Sequence, residues 1–464
     1  MNTMKVALPK GRLMTDTAAL LERAGWGLSG YHEGTRSYRL KSAQFPGLLA
    51  KMFHEKDIPV QVAVGNYDLG ICGRDWVEEL LARYPGAALL KLKDLGYGQN
   101  ALWAVSGAGT GLDALRERPE GVRLVSEYPN LAERLALEMR LKRFRVFPVW
   151  GAAEVYPPED ADLALLPGTS GRPAFNHELV PVRKLFDCGA CLIANRERWS
   201  ERDLSQALAS IERALAGAVP APVEPALQSV AAPVVPAGET ARIALPDGHQ
   251  QAPTVELLQK AGIRVDGYPS ADGNRRPRVH MPGVTAKVIR PQDMPLQVAN
   301  GNFDLAISGR DWLTEHRNQF PASPVVERQD LGYSKVRIVA VVCNDVPADG
   351  ALSLRELWAR RTEPVRIASE YVNVADKYAR DNRLGRYRVI PTWGATEAFL
   401  PEDADLLIEN TQTGRTIARH NLKIIDTLFE STACVIGRPE VSPAKRARVE
   451  SIIAALRKAV EVSS

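Results

Sequence analysis

The sequence predicts an α/β fold that is written twice in tandem, each copy being divided into two lobes. Three observations predict it. Motifs of the first half return in order in the second. Within a copy, short apolar runs alternate with segments of helical spacing, the signature of largely parallel sheets. Each copy runs to about 215 residues, which is long for one lobe.

The repeat sets the boundaries. "DLGICGRDW" from Asp68 returns as "DLAISGRDW" from Asp304, an offset of 236. "SEYPNLA" from Ser126 returns as "SEYVNVA" from Ser369, and "PVWGAAE" from Pro148 as "PTWGATE" from Pro391, now at an offset of 243. "PEDADL" starts at Pro158 and again at Pro401. This is one large unit copied once, not a solenoid of short repeats. The first copy is expected at residues 1–216, with an inserted lobe near 101–180. The second is expected at 241–464, with an inserted lobe near 339–423. Between them, 217–240 is rich in Pro, Ala and Val and reads as a semi-extended linker.

Each element has a local reason. "KVALP", "YDLGICG", "ALWAVSG", "VRLVSEY", "FRVFPVWG", "DLALLPG" and "ACLIANR" are short apolar runs of strand type. "TDTAALLERAG" and "NLAERLALEMRLKR" space apolar residues as a helix does, and glycine closes the first. In such folds ligands bind at the carboxyl ends of strands.

Composition excludes several function classes. A net charge of +4 over 464 residues, with a pI near 8.7, is too mild for a nucleic-acid surface. No run approaches the roughly 18 apolar residues of a membrane span. The start lacks the apolar run of a signal peptide, and five cysteines fit a reducing compartment, so a cytoplasmic protein is expected. "CGAC" (Cys188 to Cys191) becomes "STAC" in the second copy, so buried strand cysteines are expected rather than a zinc site.

Two strand ends carry candidate chemistry. In "ADLLIENTQTGRTI" a strand runs into a polar turn and a helix start. Gly414 would admit close backbone approach, and Thr411, Thr413 and Thr416 would donate hydroxyl bonds to a phosphate. Glu409 would take a sugar diol. A simple N-capping turn explains the same residue types. In "ALPKGRL", Lys10, Gly11 and Arg12 follow a strand and suit a pyrophosphate, although a solvated loop explains them equally. The second copy reads "ALPDGHQ" there, with Asp247 for the lysine and His249 for the arginine. Asp75 and Asp311 of the "GRDW" motifs fit helix capping. Arg74 and Arg310 fit either anion ligands or surface charge. No histidine pair has metal spacing, and no nucleophile elbow, phosphate-binding lysine loop or GxGxxG is present.

Taken together, "ALPKGRL", "RPQDMP", "DLGICGRDW", "SEYPNLA", "WGATE", "PEDADLLIENTQTGRTI" and "LKIIDTLFESTACVI" resemble the ATP phosphoribosyltransferase family. They run in family order through both halves. The resemblance implies a type II periplasmic-binding-protein-like fold in each copy. It implies attack of N1 of ATP on C1 of phosphoribosyl pyrophosphate, the first step of histidine biosynthesis, with Mg²⁺ carried on the pyrophosphate. It assigns Glu409, Asn410, Thr411, Gln412, Thr413, Gly414, Arg415 and Thr416 to the 5-phosphate and ribose loop. Asp304, Glu370, Tyr371 and Glu397 would line the nucleotide and sugar pocket, and Arg290 would reach the pyrophosphate. Lys10, Gly11 and Arg12 complete the substrate-binding set. No catalytic side chain and no protein metal ligand are expected.

The copies depart from the pattern in different places. The first has Leu166 for Glu409 and Pro173 for Thr416 but keeps Thr169, Ser170 and Gly171; the second lacks the strand-end lysine and arginine. A single principal site in the second half of an internal pseudo-dimer is therefore expected, with a higher oligomer left open. No counterpart of the family's long-form regulatory domain is expected, which leaves room for a separate histidine-sensing regulatory subunit. The rival reading is a non-catalytic regulatory or ligand-binding homologue.

Overall fold

The computed structural model describes residues 4–35, 37–45, 47–107, 112–169, 175, 179–201, 203–216, 240–269 and 274–463. Residues 217–239 of the expected linker, and Ser170, Gly171 and Pro173, lie outside the described residues.

Among the described residues the first copy contributes twelve strands. They are β1 Met4–Lys10, β2 Leu28–Ser29, β3 Arg39–Ser42, β4 Leu48–His54, β5 Leu69–Gly73, β6 Leu89–Asp94, β7 Asn100–Gly107, β8 Val122–Ser126, β9 Phe144–Pro148, β10 Leu163–Gly168, β11 Leu179–Cys188 and β12 Ala190–Asn195. The second repeats the series as β13 Ala241–Pro246, β14 Val265–Asp266, β15 Arg278–Val279, β16 Val284–Ile289, β17 Leu305–Gly309, β18 Val326–Asp330, β19 Val336–Cys343, β20 Val365–Ser369, β21 Tyr387–Pro391, β22 Leu406–Thr411, β23 Leu422–Ser431 and β24 Ala433–Gly437.

Among the described residues each copy builds two large sheets. The core sheet of the first runs β2-β3-β4-β1-β5-β12-β6, and that of the second β16-β13-β17-β24-β18. In both, the first strand is parallel to its two neighbours, while the last strand of the copy slots antiparallel between two earlier ones. The inserted sheets run β11-β7-β10-β8-β9 and β23-β19-β22-β20-β21. Strand by strand these are the same order. The copies differ at one edge, where β2 and β3 join the core sheet but β14 and β15 form a separate ribbon.

Every lobe has its own apolar core. Val6, Leu8, Trp26 and Leu192 belong to that of the first core lobe, and Leu124, Leu131 and Leu163 to that of its inserted lobe. Leu245, Val288 and Val435, then Ile338, Ile367 and Ile408, do the same in the second copy. The central strands are buried on both faces, as parallel sheets covered by helices require.

Packing divides the chain into two compact units. The first comprises Met1–Pro148, Tyr156–Pro233 and Thr392–Ala398; the second comprises Val149–Val155, Val234–Pro391 and Phe399–Ser464. The short segment after β9 thus belongs to the second unit, and the matching segment after β21 to the first.

No helix is long and apolar enough to cross a membrane among the described residues. All five cysteines are free, and four are buried.

Candidate functional site

The end of β22 builds the polar turn. Leu406, Leu407 and Ile408 are buried, so the strand is anchored up to the residue before Glu409. The chain then turns through Gly414, whose φ of 74° lies in the left-handed region that favours glycine. Thr411 Oγ1 accepts the Gly414 N–H at 2.9 Å, and Thr413 Oγ1 accepts the Arg415 N–H at 3.4 Å. Both hydroxyls accept from the backbone, so their own protons point to donation elsewhere. Thr413, Arg415 and Thr416 are exposed, and a short helix, Arg415–Arg419, follows. Glu409 Oε1 accepts the Asn410 N–H at 2.9 Å.

The turn contributes Asn410 to a cleft of about 310 Å³ between the lobes of the second unit. Asp247 to Gln250, Arg290 to Gln292, Asp311 and Trp312 line it from the core lobe; Glu370, Tyr371 and Asn410 line it from the inserted lobe. Two carboxylates on the helix Arg310–Gln319 tie these lobes together. Asp311, 6% exposed, accepts the Tyr371 O–H at 2.6 Å and the Ser431 O–H at 2.8 Å. One helical turn on, Glu315 accepts the N–H groups of Asn373 and Val374, each at 2.9 Å. It thereby holds the N-terminus of the helix Val372–Asp381. Tyr371 stacks on Trp312 at 4.4 Å, and burial, then the nearby Asp311 carboxylate, pushes its phenol well above the ordinary range.

Asp247 does not stand as an isolated negative charge. Arg275 and Arg290 each reach its Oδ2 at 3.2 Å, and Glu154 holds Arg275 at 3.0 Å. Glu154 comes from the Val149–Val155 segment of this unit. In the same segment Trp150 donates its N–H to Asp293 at 3.0 Å, and its ring lies 5.6 Å from Trp312. A side chain on Gly151 would meet Arg290 Nε at 2.9 Å, so glycine leaves the room that the guanidinium occupies. Arg310 is spent on Glu327 and Asp330, at 2.8 and 2.9 Å, and the Glu327 bond above all raises its pKa.

The first unit keeps the brace but surrounds it with different charges. Asp75 accepts the Tyr128 O–H at 2.7 Å, and Glu79 accepts the N–H groups of Asn130 and Leu131, each at 2.9 Å. Arg12 enters between Glu55, at 3.1 Å, and Asp75, at 3.4 Å. Burial opposes the Arg12 charge, but Asp75 and Glu55 outweigh it and raise its pKa. Lys10 ends β1 with its ammonium 5.1 Å from the centre of the Tyr38 ring, and Gly11 turns the chain at φ 101°. Lys56 pairs with Glu127 at 2.6 Å over the Trp76 ring.

The ATP phosphoribosyltransferase family model matches residues 54–217 and again 290–458. The chain belongs to the ATP phosphoribosyltransferase family. It is similar to the ATP phosphoribosyltransferase of Chlorobaculum parvum, 33% identical over 231 residues that span 47% of this chain and 71% of that protein. That of Pelotomaculum thermopropionicum is 31% identical over 226 residues, 47% of this chain and 72% of the relative. A solved ATP phosphoribosyl transferase (HisG:HisZ) complex from Thermotoga maritima is 22% identical, with a TM-score of 0.40, covering 48% of this chain and 100% of that one. Two matched segments in one chain make this a tandem member of the family.

For a chain of the ATP phosphoribosyltransferase family, the expected pocket residues fall into three groups. Arg290, Glu370, Tyr371 and Asn410 line the second unit's cleft, beside the turn that carries Glu409, Thr411, Gln412, Thr413, Gly414, Arg415 and Thr416. Lys10, Gly11 and Arg12 lie in the first unit. Asp304 is not brought to the second unit's cleft, and Glu397 belongs to the first unit. Asp304 precedes β17 at its amino end, where it accepts the Arg242 N–H at 2.9 Å and pairs with Lys445 at 3.1 Å. Glu397 sits in the Thr392–Ala398 segment of the first unit and accepts the Tyr38 O–H at 3.3 Å. The capping expected of Asp75 and Asp311 is not found either, since Gly73 and Gly309 are the N-caps and both carboxylates turn to tyrosine. Sequence reasoning missed Arg275, Glu154, Trp150 and Ser431. The available signal was Asp247 itself, because an acid at a strand end in a cleft calls for a cation nearby.

Proposed function

We propose that this chain condenses ATP with phosphoribosyl pyrophosphate, giving phosphoribosyl-ATP and pyrophosphate in the first step of histidine biosynthesis. The observation that carries this reading is the Glu409–Thr416 turn at the end of β22, which gives Asn410 to a cleft between lobes in a chain that matches the family twice.

In this reading, the Thr411 and Thr413 hydroxyls and the turn backbone hold the 5-phosphate, with Arg415 as a nearby cation. Glu370 and Glu409 face the ribose as positive charge develops at C1. One C1–O bond breaks to release pyrophosphate, and one C1–N1 bond forms, so positive charge passes to the purine. Adenine N1 already carries its lone pair at neutral pH, which removes the need for a general base. Rate enhancement then comes from alignment of the two substrates and from charges fixed in advance. Arg290, which lines the cleft, would meet the pyrophosphate once Asp247 yields it. Mg²⁺ enters on the pyrophosphate, as hard cations with several retained waters do. Among the described residues no group of three or more His, Cys, Asp or Glu gathers to hold a metal.

The test is direct. The purified chain with ATP, phosphoribosyl pyrophosphate and Mg²⁺ should form phosphoribosyl-ATP, followed by its absorbance, and release pyrophosphate in equal amount. A folded protein that binds both substrates without product would overturn the reading.

A further inference from the structure

The Tyr371 phenol has one proton to give. It goes to Asp311 Oδ2 at 2.6 Å, while the other carboxylate oxygen takes the Ser431 O–H at 2.8 Å. What remains on the phenolic oxygen is acceptor capacity, and Asn410 Nδ2 donates to it at 3.0 Å. The opposite orientation of the amide would set two acceptors against each other. The direction of the Asn410 amide is therefore dictated from the core lobe. With the nitrogen spent on Tyr371, the amide oxygen is the atom that an exposed, cleft-lining Asn410 offers to a ligand.

This arrangement belongs to the second copy. In the inserted sheets Asn410 pairs with Ile338 as Pro167 pairs with Leu102, so a proline without an amide holds the position in the first copy. Cys188 stands there in place of Ser431. A fixed acceptor selects a donor. Asn410 is the residue of this strand end that lines the cleft, its neighbours Glu409 and Thr411 belonging to the alternate face of β22. In the reaction proposed above, the donors that such an acceptor would meet are the ring hydroxyls of the phosphosugar.

We propose that Asn410 Oδ1 accepts a hydrogen bond from a ring hydroxyl of the phosphosugar, and that Asp311, acting through Tyr371, is the positioning residue that fixes this selectivity. The proposal rests on the reaction proposed above and names which group at that site reads the sugar. The strong upward shift of the buried phenol supports it, since the proton stays on Tyr371 across the neutral range.

Calorimetric titration of the full chain with ribose 5-phosphate, 2-deoxyribose 5-phosphate and 3-deoxyribose 5-phosphate tests it. The wild type should prefer ribose 5-phosphate over one of the two deoxy sugars about tenfold, the size of one lost hydrogen bond. Tyr371→Phe keeps the ring on Trp312 and removes the hydroxyl; the preference should fall to within about twofold. Asn410→Ala, at an exposed position, should do the same and covers the case in which Tyr371→Phe does not fold. A wild type without preference, or an Asn410→Ala variant that retains it, overturns the proposal. Phosphoribosyl-ATP formation is measured on the same preparation. Turnover without sugar preference sinks the positioning role and spares the reaction; preference without turnover does the reverse.

Discussion

Asp247 and Arg275 meet at 3.2 Å in the place where the first copy sets Lys10 above Tyr38. Backbone bonds prove the equivalence: Val288 N–H reaches Arg275 O as Met52 N–H reaches Tyr38 O, and Val288 pairs with Leu245 as Met52 pairs with Leu8. The positive charge has moved from the strand end to the neighbouring segment, and an acid has taken its old position. Arg275→Ala should therefore leave the buried Asp247 with Arg290 as its remaining cation and cost about 2 kcal/mol in urea unfolding. An unchanged midpoint would show that the pair adds nothing to stability.

Thr413→Ala removes one donor aimed at a charged group. Binding of phosphoribosyl pyrophosphate should weaken by roughly 1–3 kcal/mol, with the affinity for ATP alone unchanged. Equal loss for both ligands would place Thr413 elsewhere in the chemistry.

Glu315→Ala should loosen the inserted lobe of the second unit. Glu315 holds two backbone N–H groups at the start of the helix Val372–Asp381 and the Asn373 side chain at 2.6 Å. The expected cost is about 2 kcal/mol. Hydrogen exchange should show early loss of protection at Asn373 and Val374, while β17 stays protected.

His54 and Glu55 should tilt the pH dependence of stability in opposite directions. Burial, more than any neighbour, raises Glu55 from its ordinary 4.5 to about 7, with Arg12 opposing and Asp75 adding. Between those values the unfolded chain has lost the proton that the folded chain keeps, so stability falls as pH rises. Burial first, then Lys56 and Lys10, lowers His54 from 6.5 to about 4. There the unfolded chain holds the extra proton, so stability rises with pH. Thermal unfolding between pH 4.5 and 7 should climb with pH in Glu55→Gln relative to the wild type, and decline in His54→Asn. Parallel curves for all three proteins would rule out both shifts.

Much of this was legible because it is local. Strand, turn and helix at the end of β22 are written in consecutive residues, and the duplication is visible in any two copies of GRDW. What escaped depends on partners far along the chain. An aspartate in the first turn of a helix looks like a cap whether it bonds its own backbone or Tyr371, 60 residues away. Asp304 ends beside Lys445 because β17 starts there, at the end opposite the cleft, which a motif match does not reveal. Glu397 lies within a segment that packs in the first unit, a tertiary choice with no local sign. Ser431 and Cys188 differ by one atom type, yet the hydroxyl donates to the Asp311 carboxylate at 2.8 Å while the thiol turns to the Phe186 carbonyl at 3.9 Å.

The slotting of the last strand has a consequence for synthesis. β12 lies between β5 and β6, which are made some hundred residues earlier. As the chain leaves the ribosome, the first core sheet holds a vacant lane, with the backbone groups of β5 and β6 facing it, until Ala190–Asn195 emerges. The whole inserted lobe is translated during that wait. β24 repeats the situation between β17 and β18. A nascent copy cut short after its inserted lobe would thus present two open strand edges, which invite pairing with another chain. Each half of this protein becomes safe from such mispairing only when its final strand arrives.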